Sequence, residues 1–186
     1  GGTSQNGQPI GRGLVVDCSR HFNGIIDYDA QAGTITVEPG MVLERLNTRV
    51  KADGWFFPVE PSTATRCTIG GMAGNNSCGA RSLRFGKMSD NVLRLEALFH
   101  DGEPFGFGLT GNEATGVTGS RRAGELAAAM RALAESERDE ILRMYPRVQR
   151  RVGGYNLDAL IEARPNLAHL LVGSEGTLAA TTSVTL

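Results

Sequence analysis

Glycine constrains this chain more than any other feature. It holds 25 of the 186 positions, about twice the usual share of roughly 7%, and the excess is not spread evenly. It gathers at Gly1–Gly13, Gly70–Gly86, Gly102–Gly119 and Gly173–Gly176, between segments with ordinary strand and helix patterns. A flexible low-complexity linker is therefore excluded. Clustered glycine inside a globular chain means backbone that bends tightly or comes close to another group.

The rest of the composition narrows the classes. With 40% hydrophobic and 21% charged residues the chain can bury a core of one domain, or of two small lobes sharing one. A net charge of −1 argues against general attraction to nucleic acid. No run approaches the roughly 18 apolar residues that span a bilayer. Cys18, Cys67 and Cys78 are odd in number and unpatterned, which suits a reducing compartment better than a disulfide framework. There is no Cys-x-x-Cys, and His21, His100 and His169 are scattered, so no metal site is expected. Because the chain opens at Gly1, inside a glycine loop, it is expected to be a fragment of a longer protein.

Periodicity gives an α+β outline. Strands are predicted at Leu14–Asp17, Gly24–Tyr28 and Thr34–Glu38, the last two joined as a hairpin that ends its turn at Gly33. A helix over Val42–Val50 closes at Gly54. Residues 60–90 lack periodicity, and loops of that length inside compact domains are usually functional. Val92–Phe99 and a segment around Phe105 and Phe107 read as strands. A broken helix spans Ala123–Tyr145 and stops at Pro146, a short helix covers Asn156–Ile161, and Thr177–Leu186 is β-like.

Three glycine loops carry the chemical signal. In Gly1-Gly2-Thr3-Ser4-Gln5-Asn6-Gly7, small residues let several N–H groups converge on one anion, and two hydroxyls add donors; a surface turn is the other reading. In Thr68-Ile69-Gly70-Gly71-Met72-Ala73-Gly74-Asn75-Asn76-Ser77-Cys78-Gly79, glycine permits close approach to a ligand, and the run opens a short helix whose N–H groups face a phosphate; a tight packing corner is the alternative. Gly173-Ser174-Glu175-Gly176-Thr177-Leu178 is a turn into a strand.

Together, in order and spacing, these loops resemble the flavin domain of the vanillyl-alcohol oxidase superfamily, the PCMH-type FAD-binding domain. The likeness is to its D-lactate, glycolate and D-2-hydroxyglutarate dehydrogenase branch. Supporting matches are Glu38-Pro39-Gly40, Pro61-Ser62, Phe85-Gly86-Lys87 with Asp90-Asn91-Val92, and Gly154-Tyr155-Asn156-Leu157, so the resemblance covers essentially the whole chain. It implies a mixed or antiparallel sheet flanked by helices, all of 1–186 belonging to the FAD-binding domain and truncated at its N-terminus. It also implies cofactor contacts from Gly1, Gly2, Thr3, Ser4, Gln5, Asn6 and Gly7, and from Pro61, Thr68, Gly70, Gly71, Ala73, Gly74, Asn75, Asn76 and Gly79. Gly173, Glu175, Gly176, Thr177 and Leu178 complete the set, near the adenine and ribose end. Thr3 stands where covalent members of the superfamily carry histidine, so FAD is expected to be noncovalent. Asn156 stands where aspartate is common, and Ala179 where glycine is frequent. Cys78 reads as a small buried residue.

The resemblance further implies hydride transfer from a small α-hydroxy acid to FAD, then electron transfer to a quinone, cytochrome or iron–sulfur partner. An N-terminal βαβ lobe and a C-terminal substrate domain are expected outside the chain, with the catalytic groups, so no catalytic residue is assigned here. FAD binding by these residues alone is expected to be weak or absent, and the localisation cytoplasmic or peripheral to a membrane. The alternatives are an NADPH-dependent enolpyruvyl-sugar reductase of the same fold and a non-catalytic module without flavin. Other motifs fail on context. Gly106-Phe107-Gly108-Leu109-Thr110-Gly111 fits G-x-G-x-x-G, but Asn112–Gly119 is too rich in glycine and threonine for the helix that fingerprint needs. Gly86-Lys87 lacks the first glycine of a phosphate-binding P-loop. Arg143, Arg147, Arg150 and Arg151 read as a solvated helix end.

Overall fold

The computed structural model describes residues 1–110, 116–119 and 121–186. It is α+β, built on a six-stranded sheet in the order β1-β2-β6-β3-β4-β5, every neighbouring pair antiparallel. The strands are β1 (Ile25–Asp29), β2 (Thr34–Val37), β3 (Arg94–Leu98), β4 (Pro104–Phe107), β5 (Val117–Gly119) and β6 (Ala180–Thr185). The helices are α1 (Cys18–His21), α2 (Leu43–Val50), α3 (Ile69–Asn75), α4 (Ser82–Phe85), α5 (Met88–Asn91), α6 (Arg121–Ser136), α7 (Arg138–Met144) and α8 (Ala168–Leu171), with 3-10 turns at Lys51–Asp53 and Leu157–Ile161.

The β1–β2 hairpin forms because Asp29 folds its own turn. Its carboxylate accepts from the N–H groups of Gln31 and Ala32 at 2.8 and 2.9 Å, and Gly33 takes φ +70°, a left-handed value that costs glycine little. The last strand, β6, enters the middle of the sheet between β2 and β3. Register then places Val37, Val184, Leu95, Phe107 and Val117 in one row across five strands. Each of them is buried. On the opposite face Arg94 bonds Glu96 and Thr118, and Gly106 leaves room for them, since a Cβ there would lie 2.0 Å from the Arg94 guanidinium.

Helices cover the apolar face with residues at helical spacing. α2 buries Leu43, Leu46 and Val50, and α6 buries Ala123, Ala127, Met130 and Ala134. The helix expected over Ala123–Tyr145 breaks at Glu137, where Ser136 turns its hydroxyl onto the Leu133 carbonyl at 3.1 Å. Such back-bonding competes with the helix ladder.

Two expectations change. Leu14–Asp17 is not a strand: Leu14 and Val16 are 93% and 72% exposed, no described strand pairs with the segment, and Asp17 instead caps α1 through the Ser19 N–H. The unpatterned stretch 60–90 contains three short helices, α3 to α5. Gly106 lies within β4 and Gly108 just after it, and β5 returns antiparallel to β4. This is a hairpin, whereas a dinucleotide fingerprint needs a strand-to-helix turn; Gly111–Thr115 of that motif lie outside the described residues. Phe105 is 1% exposed and stacks edge-on against Phe99 at 4.8 Å. Phe105→Ala is expected to cost about 3–5 kcal/mol of stability, read as a lower urea midpoint.

Candidate cofactor site

The site grows from α3. Thr68 caps the helix, its hydroxyl accepting from the Gly71 N–H at 3.4 Å. Gly70 is required by packing, because a Cβ would fall 2.4 Å from that of Pro39. The N–H groups of Ile69 and Gly70 donate to the Met41 and Pro39 carbonyls, both at 2.8 Å. This corrects the expectation of a helix start open to a phosphate, since those N–H groups are already committed to backbone from a distant turn.

The far end of α3 meets the third loop. Gly173 N donates to the Ala73 carbonyl at 2.8 Å and Glu175 N to the Gly74 carbonyl at 2.9 Å. The Asn75 amide donates to the Glu175 carboxylate at 2.7 Å. Thr177 folds the turn back on itself through the Ser174 carbonyl and shares a 2.8 Å bond with the Tyr155 hydroxyl. The first loop closes on the other end of α3, with Gly1 so near the Arg66–Thr68 backbone that a Cβ would sit 2.6 Å from the Arg66 carbonyl. All three glycine loops thus reach one place.

Between them lies a cleft in two adjoining parts, of 830 and 560 Å³, which share Gly1, Gly2, Thr68 and Gly71. Gly70, Gly74 and Gly176 line the larger part; Thr3, Ser4, Gln5, Asn6, Pro61, Asn75, Asn76 and Glu175 line the smaller. At Gly2 and Gly176 a Cβ would meet nothing within 4 Å, and at Gly74 only the Glu175 Cα at 3.9 Å. Those glycines therefore face open space, and their missing side chains are part of the hollow. Among the described residues, the N–H groups of residues 2–7 and of Gly176 have no protein acceptor.

Six residues assigned to the cofactor from sequence do not line this cleft. Gly7 (φ +81°) shapes the first loop, its carbonyl accepting from Ile10 N. Ala73 is buried and Gly173 (φ +88°) locks onto it. Gly79 packs against Glu60, where a Cβ would lie 2.2 Å from a carbonyl oxygen. Thr177 braces the turn, and Leu178 packs on the core. Conversely, Ser174 and the segment Gly11–Ser19 line the larger part and were not singled out. Ser174 sits inside a motif already recognised, but no periodicity tells which way a turn residue faces.

Cys78 lines the smaller part and is only half-buried, which corrects its reading as a small buried residue. Cys67 is the buried cysteine, its thiol pushed above the ordinary thiol range by desolvation.

Comparison with known proteins now bears on this geometry. A family model described as an FAD binding domain matches residues 1–108. The chain belongs to the FAD binding domain family. Across the whole chain this FAD binding domain is 35% identical to D-2-hydroxyglutarate dehydrogenase of Escherichia coli strain K12, spanning 19% of that protein. It is 36% identical, over 96% of the chain, to the enzyme of the same name from Pantoea ananatis, spanning 18% of it. Glycolate oxidase subunit GlcD of Bacillus subtilis is 36% identical over 51% of the chain. The chain thus spans about a fifth of the length of the two D-2-hydroxyglutarate dehydrogenases. Among solved structures, an alkyldihydroxyacetonephosphate synthase superimposes on 90% of the chain with TM-score 0.52 at 17% identity, 20% of that protein being covered. That likeness establishes the shared fold.

A raised thiol pKa means that thiolate appears only at higher pH. Iodoacetamide at pH 8, followed by mass spectrometry of the intact protein, is expected to label Cys18 and Cys78 and to spare Cys67. Labelling of Cys67 first would contradict this packing.

Proposed function

We propose that this FAD binding domain holds noncovalent FAD in a dehydrogenase that oxidises a small 2-hydroxy acid. The reading is carried by one observation: three glycine loops meet at a cleft lined by glycines with no side chain to fill it, and the N–H groups of residues 2–6 and of Gly176, which line it, have no protein acceptor among the described residues. D-2-hydroxyglutarate is the first substrate to test. In its favour, relatives acting on it match 96–100% of the chain, whereas a glycolate oxidase subunit and a D-lactate dehydrogenase match 51% and 49%.

The residues fit a dinucleotide. A diphosphate is a cluster of acceptors, and main-chain amides with the Thr3 hydroxyl are donors of matching kind, while the Ser4 hydroxyl already donates to the Gln8 side chain. Glu175 is a different case. Its carboxylate, held by Asn75, would repel phosphate and accepts well from hydroxyl donors, so the turn Gly173–Leu178 is assigned to the ribose and adenine end. Thr3 offers no imidazole for a covalent bond to flavin.

FAD, when bound, would supply an acceptor for one hydride, which carries both electrons of the oxidation. This chain's share is to hold the dinucleotide by main-chain donors and to keep its path free of side chains. The group that grips the substrate carboxylate and the base that takes the hydroxyl proton are placed outside these residues. So is contact with the electron acceptor, a quinone, cytochrome or iron–sulfur partner.

The intact protein, purified, is expected to be yellow, and anaerobic D-2-hydroxyglutarate should bleach it faster than D-lactate or glycolate. A flavin-free protein that takes up no added FAD would sink the cofactor reading; bound flavin that none of the three acids bleaches would sink the substrate class. Gly74→Leu places a side chain in the hollow while favouring the helix. FAD affinity is then expected to fall at least about tenfold, with the melting temperature of the cofactor-free protein unchanged.

A further inference from the structure

Two enclosed side-chain atoms beside the third loop have no partner among the described residues: Asn76 Nδ2, a donor, and Asn156 Oδ1, an acceptor. Both residues are buried, at 0% and 3% exposure. They flank the same glycine, since a Cβ at Gly173 would lie 3.3 Å from Asn76 Cβ and 3.7 Å from Asn156 Nδ2. The remaining bonds dictate how each amide points. Asn156 Nδ2 donates to the carbonyls of Val172 at 2.7 Å and His169 at 3.0 Å, and Asn76 Oδ1 accepts from Ser89 N at 3.0 Å. Turning either amide over would set oxygen against oxygen, or N–H against N–H.

We propose that Asn76 and Asn156 are a coupled pair of positioning residues for the cofactor turn. The free donor of one and the free acceptor of the other complete each other across Gly173 through one bridging water. Left apart, each enclosed polar group would have lost its water without gaining a partner, which destabilises the fold; joined, they tie the end of α3 to the residues before Gly173. Asn156 also fixes the Val172 carbonyl, one residue before the turn, with donors that no carboxylate possesses. The pair sets the geometry of residues 173–176, and with it the affinity for the nucleotide end of the cofactor.

This inference rests on the flavin reading above, and adenosine diphosphate is the probe that separates the two. Binding of ADP and of FAD is measured by calorimetry on the intact, cofactor-stripped protein, well below its melting temperature. Asn76→Ala and Asn156→Ala are each expected to weaken ADP and FAD alike, by about tenfold or more. The double variant should be little worse than the weaker single one, because neighbours that share a bond are not additive. Asn156→Asp keeps the shape but loses both donors, and should match Asn156→Ala. If alanine unfolds the protein, serine at the same positions takes its place. Unchanged ADP affinity in variants with lowered melting temperature, multiplicative losses in the double variant, or full affinity in Asn156→Asp would each overturn the pairing. Wild-type protein that binds neither ADP nor FAD would overturn the flavin reading itself, and the inference with it.

Discussion

Two backbone hydrogen bonds, from Gly173 and Glu175 to the carbonyls of Ala73 and Gly74, hold this site together. They join segments about a hundred residues apart, and neither segment could be placed by local preference alone. Their geometry is set from below by the sheet. β6 begins shortly after the turn and is wedged between β2 and β3, with Val184 buried between Val37 and Leu95. Slipping β6 by one residue would turn Val184 outward and move its whole apolar set to the other face. The same slip would carry the turn away from α3. The core therefore fixes the register of the strand, and the register places the turn Gly173–Leu178.

The three loops were legible in the sequence because glycine's exemption from steric limits is a local property that clustering makes visible. What each glycine is exempt for was not legible. Gly70 yields to Pro39 and Gly79 to Glu60, while Gly2, Gly74 and Gly176 yield to open space. A missing side chain reads the same in every case, and only the fold shows what occupies its place. The start of α3 teaches a similar lesson. Its sequence is right for a phosphate-binding helix end, but Pro39 and Met41 reach its N–H groups from the turn after β2, a long-range fact with no local trace. Pattern also failed at Leu14–Asp17, where β-branched residues occur without a described strand to pair with. β5 escaped notice for a different reason: three residues are too few for alternation to stand out.

Asn156 shows how much a single side-chain atom decides at a buried polar position. In sequence it differs from aspartate by one atom. In the fold that atom is a nitrogen facing two carbonyl oxygens, and an ionised carboxylate in its place would set its oxygens against those two acceptors. The difference between the two residues is small in volume and large in electrostatics.

A cradle made of main-chain amides has consequences that one made of lysine and arginine would not. Amide donors carry no net charge, so gathering several of them around a hollow incurs little mutual repulsion and little desolvation of free ions. That is consistent with a chain whose net charge is −1 and which nevertheless presents a row of donors. Such a cradle selects by shape, because the donors cannot follow a displaced ligand as a flexible side chain can. It is also sensitive to single carbon atoms. At Gly2 and Gly176, whose φ values are +64° and +73°, any side chain would both strain the backbone and enter the cleft. Conformational freedom and cavity volume are thus demanded at the same positions, which is why this site is written in glycine and not in charge.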